Sequence, residues 1–341
     1  MNGQVIGVGI IGAGIMGRSH AASLRMDPRT ELIGVAGLPL ETAEAITHEF
    51  AGARATDDYH ELLADPRIDF VTVATPDNLH FEVCSEALAA GKHVFVEKPL
   101  TTSLAEADEL IRRAVQANRK LMTCFNHRWI PAYAEAERRI RVGELGRPKM
   151  AYARKNDRIF VPTEMLTWAA QTTCAWFLSS HDIDLVNWFM ADRPVSVWAL
   201  ASTGVLKERG IDTLDTVQAL VRYAGGGFAT FESCWIYPNT FPSMTDSFIE
   251  VVGEAGVIHL PRVDDHLHLA TTTEFSFPRT SIGADVHGQR LGAVTAALNH
   301  MTTCVITGDD PLVTAQSSRD VIATLEAIHR SIASGEVEEV R

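Results

Sequence analysis

The chain has 341 residues, 46% of them hydrophobic, and its 43 acidic and 30 basic side chains give a formal net charge of −13 at pH 7. At about 150 residues per domain this length predicts two domains, and the negative charge, with no long basic run to offset it, disfavours nucleic acid and anionic membranes as partners. No apolar run approaches the ~20 residues that cross a bilayer, and the stretch before Gly14 does not resemble a signal peptide, so we expect a globular cytoplasmic protein.

The first third of the chain alternates between short β-branched runs and helical patterns. We predict strands at Val5–Ile11, Leu32–Ala36, Phe70–Ala74, His93–Val96 and Leu121–Cys124. We predict helices at Ser19–Met26, Glu41–Phe50, Tyr59–Ala64, Phe81–Ala90 and Ala105–Asn118, the last with a capping box formed by Ser103 and Glu106. Strands that are apolar throughout are typical of a parallel sheet covered on both faces. The alternation predicts a doubly wound α/β domain, a Rossmann dinucleotide-binding domain over residues 1–124.

The pattern changes near residue 125. Helical segments are predicted at Ala134–Val142, Phe177–Met190, Leu291–Ile306 and Ala315–Ser334, and strands at Val195–Ser202, Thr216–Tyr223, Phe228–Trp235, Ser247–Val252 and Val257–Leu260. Short turns between the strands indicate an α+β domain with a largely antiparallel sheet. We therefore assign residues 125–341 to a second domain for substrate binding and oligomerisation.

A glycine-rich motif follows the first predicted strand. Gly12, Gly14, Ile15, Met16 and Gly17 belong to a GxGxxG pattern, and a second register beginning at position 7 overlaps it. Only the later register has a strand before it and a helix after it, as dinucleotide binding requires. In that register the glycines allow a tight turn and close approach of the backbone to a pyrophosphate at the helix N-terminus. We predict that these five residues contact NAD or NADP.

The residue expected to meet the adenosine ribose is Gly37, about 20 positions after the motif and just past the second strand. Glycine offers neither a carboxylate for the ribose hydroxyls of NAD nor a cation for the 2′-phosphate of NADP. The choice between NAD and NADP is left open by the sequence.

Three polar clusters follow predicted strands, at residues 75–80, 97–99 and 126–128. The ligand crevice of an open α/β sheet lies outside the carboxyl ends of its strands. The residues in these clusters that we predict to contact the cofactor are Thr75, Pro76, Asn78, His80, Glu97, Lys98 and Asn126. Simpler interpretations exist for single positions, because Pro76 can begin a helix and Lys98 can be a solvated loop lysine.

These motifs together resemble the Gfo/Idh/MocA family of nicotinamide-dependent sugar and polyol oxidoreductases. The resemblance rests on Gly12–Gly17, on Ala74-Thr75-Pro76 with His80, on the run from Ala90 into Glu97-Lys98-Pro99, on Phe125-Asn126-x-Arg128, on His181-Asp182-Ile183-Asp184 and on Ser331-x-x-x-Gly335. It implies that Lys98 lies beside the nicotinamide and the substrate hydroxyl, and that the Lys98–Pro99 bond is cis. It also implies a homodimer or homotetramer.

The family's catalytic stretch, Asp-x-x-x-His-x-x-Asp, is only partly present. His181 and Asp184 match its second and third positions, but the first falls on Phe177, which can neither carry a proton nor accept a hydrogen bond. An Asp at that position would face the histidine across one helical turn. On spacing alone His181 is a packed helix histidine, whereas the resemblance makes it catalytic. Asp182 is either structural or faces the substrate.

The function that the resemblance implies is a dehydrogenase of a sugar, cyclitol or polyol. His181 would take the hydroxyl proton as general base, and Lys98 would stabilise the developing alkoxide. Arg128 and Asn126 would position substrate or nicotinamide. We also expect His287 to line the substrate cleft, and Trp168 is either a core residue or part of a sugar-stacking wall.

Two other functions are kept as alternatives. One is a glycosidase that retains NAD, since Phe177 alters the catalytic stretch, and the other is a non-catalytic dinucleotide-binding protein on the same fold. No metal site is expected, because the five cysteines are far apart without CxxC spacing and are interpreted as free buried thiols. The histidines at positions 259, 266 and 268 are assigned to an exposed strand or hairpin face.

Overall fold

The computed structural model describes residues 5–50 and 52–341. Its strands are β1 Ile6–Ile11, β2 Thr30–Ala36, β3 Arg54–Thr56, β4 Phe70–Val73, β5 His93–Val96, β6 Leu121–Thr123, β7 Pro148–Arg158, β8 Pro194–Ser202, β9 Thr216–Tyr223, β10 Phe228–Tyr237, β11 Thr245–Gly253, β12 Val257–Pro261, β13 Leu269–Ala270, β14 Phe275–Ser276, β15 Ala284–Val286, β16 Gln289–Leu291 and β17 Glu338–Glu339. Its α-helices are α1 Ile15–Leu24, α2 Leu40–Thr47, α3 His60–Ala64, α4 His80–Ala89, α5 Leu104–Ala117, α6 Pro131–Arg141, α7 Ser180–Met190, α8 Ala293–Thr307 and α9 Ala315–Ser334.

Two compact units make up the chain. The first runs to Trp129 and includes Ser281–Ile322, and the second comprises Ile130–Thr280 and Ala323–Arg341. This division differs from the contiguous one expected at residue 124, because the chain returns to the first unit after the second sheet. Helix α8 packs on α1 there. Thr295 Oγ1 donates to Ser23 Oγ at 3.0 Å, and Arg29 Nη1 donates to Thr303 Oγ1 at 2.9 Å.

A six-stranded sheet forms the core of the first unit, in the order β3-β2-β1-β4-β5-β6. All its pairs are parallel, and every residue of β1 is buried. This is the doubly wound order of a dinucleotide-binding domain. The predicted fold class and the five predicted strands are confirmed, whereas the three-residue edge strand β3 was missed.

A seven-stranded sheet forms the core of the second unit, in the order β12-β11-β7-β10-β9-β8-β17. Only β7 and β10 pair in parallel, so the expectation of a largely antiparallel sheet is confirmed. Helices α6 and α7 pack against each other, and α7 covers β7 and β10. The long central strand β7 was not predicted, and it carries residues that matter below.

The N-terminus of α5 differs from its predicted capping box. Ser103 is the cap residue, but its side chain makes no cap hydrogen bond. The Ser103 N–H instead donates to Thr101 Oγ1 at 3.4 Å, and the Thr101 hydroxyl donates to the Ser103 carbonyl. Thr101 therefore accepts the hydrogen bond from the Ser103 N–H that Glu106 would accept in a capping box, and the capping-box prediction is wrong.

The five cysteines are free and buried, as the sequence predicted. Across the described ranges, every helix is too short or too polar to cross a membrane.

Candidate cofactor and catalytic site

The glycine loop between β1 and α1 takes the later of the two registers. Gly12 has a φ of +105°, and a Cβ there would lie 2.4 Å from the Ala74 carbonyl oxygen. A Cβ on Gly17 would lie 1.9 Å from the Gly12 carbonyl oxygen. Gly14 is different, since a Cβ there would meet nothing within 4 Å. The loop therefore needs Gly12 and Gly17 for its own packing and leaves open space at Gly14.

That open space lies at the N-terminus of α1, where Gly14 is the cap residue and provides no side chain to accept the first N–H groups. The first helical residue, Ile15, is 76% exposed, and Met16 is half-buried. Unsatisfied N–H groups and the positive end of the helix dipole are suited to a pyrophosphate. The loop thus fits the dinucleotide that its sequence predicts.

Gly37 directly follows β2 and packs against Ala13 of the glycine loop. A Cβ on Gly37 would lie 2.5 Å from Ala13 Cβ and 2.7 Å from Thr42 Oγ1, so the loop requires glycine at this position. Leu38 follows it with 81% of its surface exposed, before a cis peptide bond to Pro39. The segment Gly37-Leu38-Pro39 carries no charged side chain that could contact an adenosine ribose or its 2′-phosphate.

The His80 side chain links the polar clusters at residues 75–80 and 97–99 by hydrogen bonds. Its Nδ1 lies 2.7 Å from the Pro99 carbonyl oxygen and its Nε2 lies 3.1 Å from the Thr75 carbonyl oxygen. The ring is fully buried. His80 thus holds the loop after β4 against the loop after β5, while Pro76 and Asn78 lie exposed on the first of these loops.

Lys98 lies two residues after the end of β5 and is half-buried. The peptide bond to Pro99 is cis, which confirms that expectation. The Lys98 N–H donates to Glu97 Oε2 at 3.3 Å, and Glu97 Oε1 accepts from His20 Nε2 at 3.0 Å. Glu97 and His20 are both buried, so Lys98 extends from a backbone that is fixed from the interior.

The buried carboxyl of Glu97 is held in its charged form. Burial opposes ionisation, but hydrogen bonds from His20 and Cys124 outweigh it, and the pKa of Glu97 lies below its usual value. The same burial raises the pKa of the Cys124 thiol well above normal. These three residues are of metal-ligating types and their polar atoms lie within 4.8 Å of one another. Their bonds to one another account for the arrangement without a metal.

Three buried polar atoms in the loops after β4 and β6 have no hydrogen-bond partner among the described residues. They are Thr75 Oγ1, Asp77 Oδ2 and Asn126 Oδ1. Orphaned polar atoms of this kind indicate a missing ligand or water. Thr75 and Asn126 were predicted cofactor contacts, and the orphaned atoms are consistent with that prediction.

Asp77 was missed from the sequence. Burial raises the pKa of its carboxyl, while the charge of Lys98 opposes that rise. Asp77 and Lys98 are therefore electrostatic neighbours at one edge of the first sheet. Its place between two predicted residues, Pro76 and Asn78, was the available signal.

Asn126 and Arg128 lie in a single helical turn after β6 and are buried. Arg128 Nη1 donates to the Leu312 carbonyl oxygen at 3.1 Å, within the same unit. The guanidinium therefore also ties this turn to the segment that follows α8. Its predicted contact with substrate stays a prediction.

His181 lies in the second unit, at the second residue of α7, and is half-buried. A single π-helical turn, Ala175–Ser179, precedes the helix and carries Phe177. The Phe177 ring packs edge-on against Trp168 and tilted against Trp235, with centroid distances of 6.1 and 6.3 Å. An aromatic cluster thus occupies the place of the family's first carboxylate, and Trp168 is half-buried within it.

Asp182 follows His181 and forms a buried ion pair that the sequence did not reveal. Its Oδ1 lies 3.1 Å from Lys155 Nζ, and each side chain is 4% exposed. Burial lowers the pKa of Lys155 to about 7, against the opposing charge of Asp182. Burial also raises the pKa of Asp182, against the charge of Lys155. Burial thus disfavours the charged form of each group, and the opposite charge of its partner counteracts that effect.

The histidines at positions 259, 266, 268 and 287 lie at the surface. His287 has a φ of +50° and is exposed in the turn that joins β15 to β16. His259 pairs with Glu250 across β11 and β12, and His268 pairs with Asp264. These pairs agree with an exposed strand or hairpin face, and the predicted contact of His287 with substrate stays a prediction.

Comparison with known proteins agrees with this geometry. Residues 6–125 match the model of an oxidoreductase family with an NAD-binding Rossmann fold, Gfo/Idh/MocA, and residues 133–259 match the C-terminal domain of the same family. Together the two matches cover well over half of the chain.

Individual relatives extend the comparison over nearly the whole length. A scyllo-inositol 2-dehydrogenase (NAD(+)) of Bacillus subtilis is 28% identical over 322 residues, covering 93% of this chain and 89% of the relative. A myo-inositol 2-dehydrogenase of Thermotoga maritima is 27% identical over 259 residues, 75% of each chain. The scyllo-inositol dehydrogenase of Lactobacillus casei, solved with NAD(H) and scyllo-inositol, has a TM-score of 0.84 at 19% identity, covering 99% of both chains. At that identity the last match establishes the fold alone.

Proposed function

The chain belongs to the Gfo/Idh/MocA family of oxidoreductases, and on that premise we propose that it is a nicotinamide-dependent dehydrogenase of a cyclitol or sugar. The observation that carries the proposal is the glycine loop, which has open space at Gly14 and an uncapped helix N-terminus, next to a lysine fixed on a buried Glu97. The named relatives act on inositols, which supports a ring carbinol as the reacting group.

In this proposal the bound nicotinamide supplies the acceptor for the hydride that leaves the substrate carbon. Lys98 places a positive charge against the alcohol oxygen, where negative charge develops as the proton departs. Its backbone N–H is held by the side chain of buried Glu97, so little reorganisation of this segment is needed when the charge forms.

His181 accepts the hydroxyl proton. An imidazole suits this task because its usual pKa, near ~6.5, is close to the working pH. Trp168 provides an aromatic face in the same unit, against which the apolar face of a sugar or cyclitol ring can pack. The relatives are dehydrogenases, and no observation favours the hydrolase alternative.

We propose that the protein is cytoplasmic and that it forms a homo-oligomer. In this proposal the exposed face of the second sheet is the interface between subunits. Trp198 on β8 is paired with Leu220 on β9, and both are more than 40% exposed. Leu200 continues the exposed apolar patch along β8, and Phe228 extends it on β10. Patches of this kind mark interaction sites. Light scattering should give twice or four times the chain mass, and a monomer for Trp198→Lys; a monomeric wild type contradicts the assembly.

The test of the function is a panel of inositol isomers and sugars with NAD and with NADP, followed by the absorbance of reduced nicotinamide. Substrate-dependent reduction is the expected result. Cofactor binding without reduction on any member of the panel would favour a binding protein instead. Glycoside cleavage with no net change in reduced cofactor would favour a hydrolase.

A further inference from the structure

A lysine lies in the interior of the second unit, behind the helix that carries His181. Lys155 is on the inward face of β7, and its neighbours across the sheet are Ser233 on β10 and Ser247 on β11. All three residues are at most 4% exposed. Removing an ammonium from water costs several kcal/mol unless an opposite charge compensates.

Asp182 provides that charge from the first turn of α7. The 3.1 Å ion pair links the middle of the sheet to the residue that directly follows His181. A carboxylate in the first turn also interacts favourably with the helix dipole. The pair therefore fixes the backbone from which the imidazole extends.

Phe177 makes this link more important. The resemblance places an aspartate four residues before the catalytic histidine, whereas here an aromatic ring packs between Trp168 and Trp235. Position 177 supplies no charge to the turn. The buried charges nearest to His181 along its own helix are those of Asp182 and Asp184.

We propose that Lys155 is a positioning residue for His181, acting through Asp182 to fix the helix turn that carries the imidazole and to set the field in which it gains and loses a proton. This inference rests on the proposed function, in which His181 is the general base.

Other charges act on the same pair and belong to the field. Arg262, after β12, and Arg279 both lower the pKa of Lys155, in addition to the effect of burial and against that of Asp182. Strand β10 contributes neutral Ser233 next to Lys155. Tyr133 of α6 interacts electrostatically with Asp182 and with both arginines. Asp157 of β7 and Asp265 act on Arg279, and Asp184 is buried on α7 itself.

The experiment compares Lys155→Met with two controls. Lys155→Arg keeps the positive charge, and Lys149→Met removes a lysine from the same strand that is 42% exposed and pairs with Glu254. For Lys155→Met, the acidic limb of the kcat–pH profile should move up by about one pH unit, because the base loses a nearby positive charge and its pKa rises. KM for NAD should not change. Neither control should move the limb.

A second measurement does not depend on activity. The imidazole of His181 can be titrated by NMR in ¹³C-histidine-labelled protein, with His181→Gln to assign its signal. Its midpoint should rise in Lys155→Met as the limb does. An unchanged midpoint and limb in folded Lys155→Met would overturn the inference. If the wild type oxidises no polyol, the proposed function fails, while the titration still decides whether Lys155 acts on His181.

Lys155→Met leaves Asp182 as a buried, uncompensated carboxylate and can prevent folding. In that case the double variant Lys155→Met/Asp182→Asn removes both charges. If the pair fixes the turn, kcat of the double variant falls at least tenfold with KM for NAD unchanged. A kcat at the wild-type level in this variant overturns the inference.

Discussion

The two glycines at the start of α1 have separable tasks, and alanine substitutions should show this. A Cβ on Gly17 would lie 1.9 Å from the Gly12 carbonyl oxygen, whereas real Cβ atoms stay beyond 3.0 Å, so backbone must move by about 1 Å. Overpacking of this kind costs about 1–3 kcal/mol. Gly14 has a φ of −80° and open space around its missing Cβ. Gly14→Ala should therefore change stability by no more than about 0.5 kcal/mol.

Gly14→Ala, which should barely change stability, should weaken cofactor binding. The methyl group of Gly14→Ala fills the space through which a pyrophosphate reaches the helix N-terminus, and the dissociation constant for NADH should rise at least about tenfold, or about 1.4 kcal/mol. Urea unfolding followed by circular dichroism measures the stability, and calorimetric titration with NADH measures the binding. Gly14→Ala with wild-type affinity, or Gly17→Ala with wild-type stability, would refute this reasoning.

Three further substitutions test other parts of the site. Lys98→Met should lower kcat by about 10²–10³ while the dissociation constant for NADH, measured by fluorescence, stays within twofold; equal losses in both would show a structural role. Leu38→Arg should lower KM for NADP at least tenfold by offering a guanidinium to the 2′-phosphate, and an unchanged KM would place the ribose elsewhere. His20→Phe should destabilise the protein by about 1.5–3 kcal/mol at neutral pH. Because the pKa of Glu97 is lowered in the folded state, this loss should shrink as pH falls below about 4.5, and a loss that is constant with pH in urea unfolding would contradict the role of Glu97.

The nucleotide-binding unit could be predicted because its signals are local. Glycine spacing after an apolar strand determines the loop, and strands such as β1 that are buried on both faces are continuous apolar runs. The shorter β3 carries only three residues, too few to stand out from a loop. The return of α8 to this unit depends on contacts such as Thr295 with Ser23, which link distant parts of the chain and leave no local pattern.

Strand β7 was missed for a related physical reason. Alternation of apolar and polar residues predicts a half-buried strand, but two inward positions of β7 hold Lys155 and Asp157, both at most 4% exposed. Charged residues there are stable only because other elements face them. Asp182 comes from α7, and Thr245 of β11 donates to Asp157.

Phe177 stands where the family's catalytic stretch has an aspartate, and Lys155 lies outside that stretch. Together they show what a motif alone leaves out about a catalytic site. The substitution at position 177 is visible from spacing alone, and it suggests altered chemistry when taken by itself. The ion pair with Lys155 of β7 instead holds Asp182 in the first turn of α7, next to His181. A missing motif residue therefore does not by itself argue for a hydrolase or a non-catalytic protein, because the group that positions the base can come from a strand that no sequence motif includes.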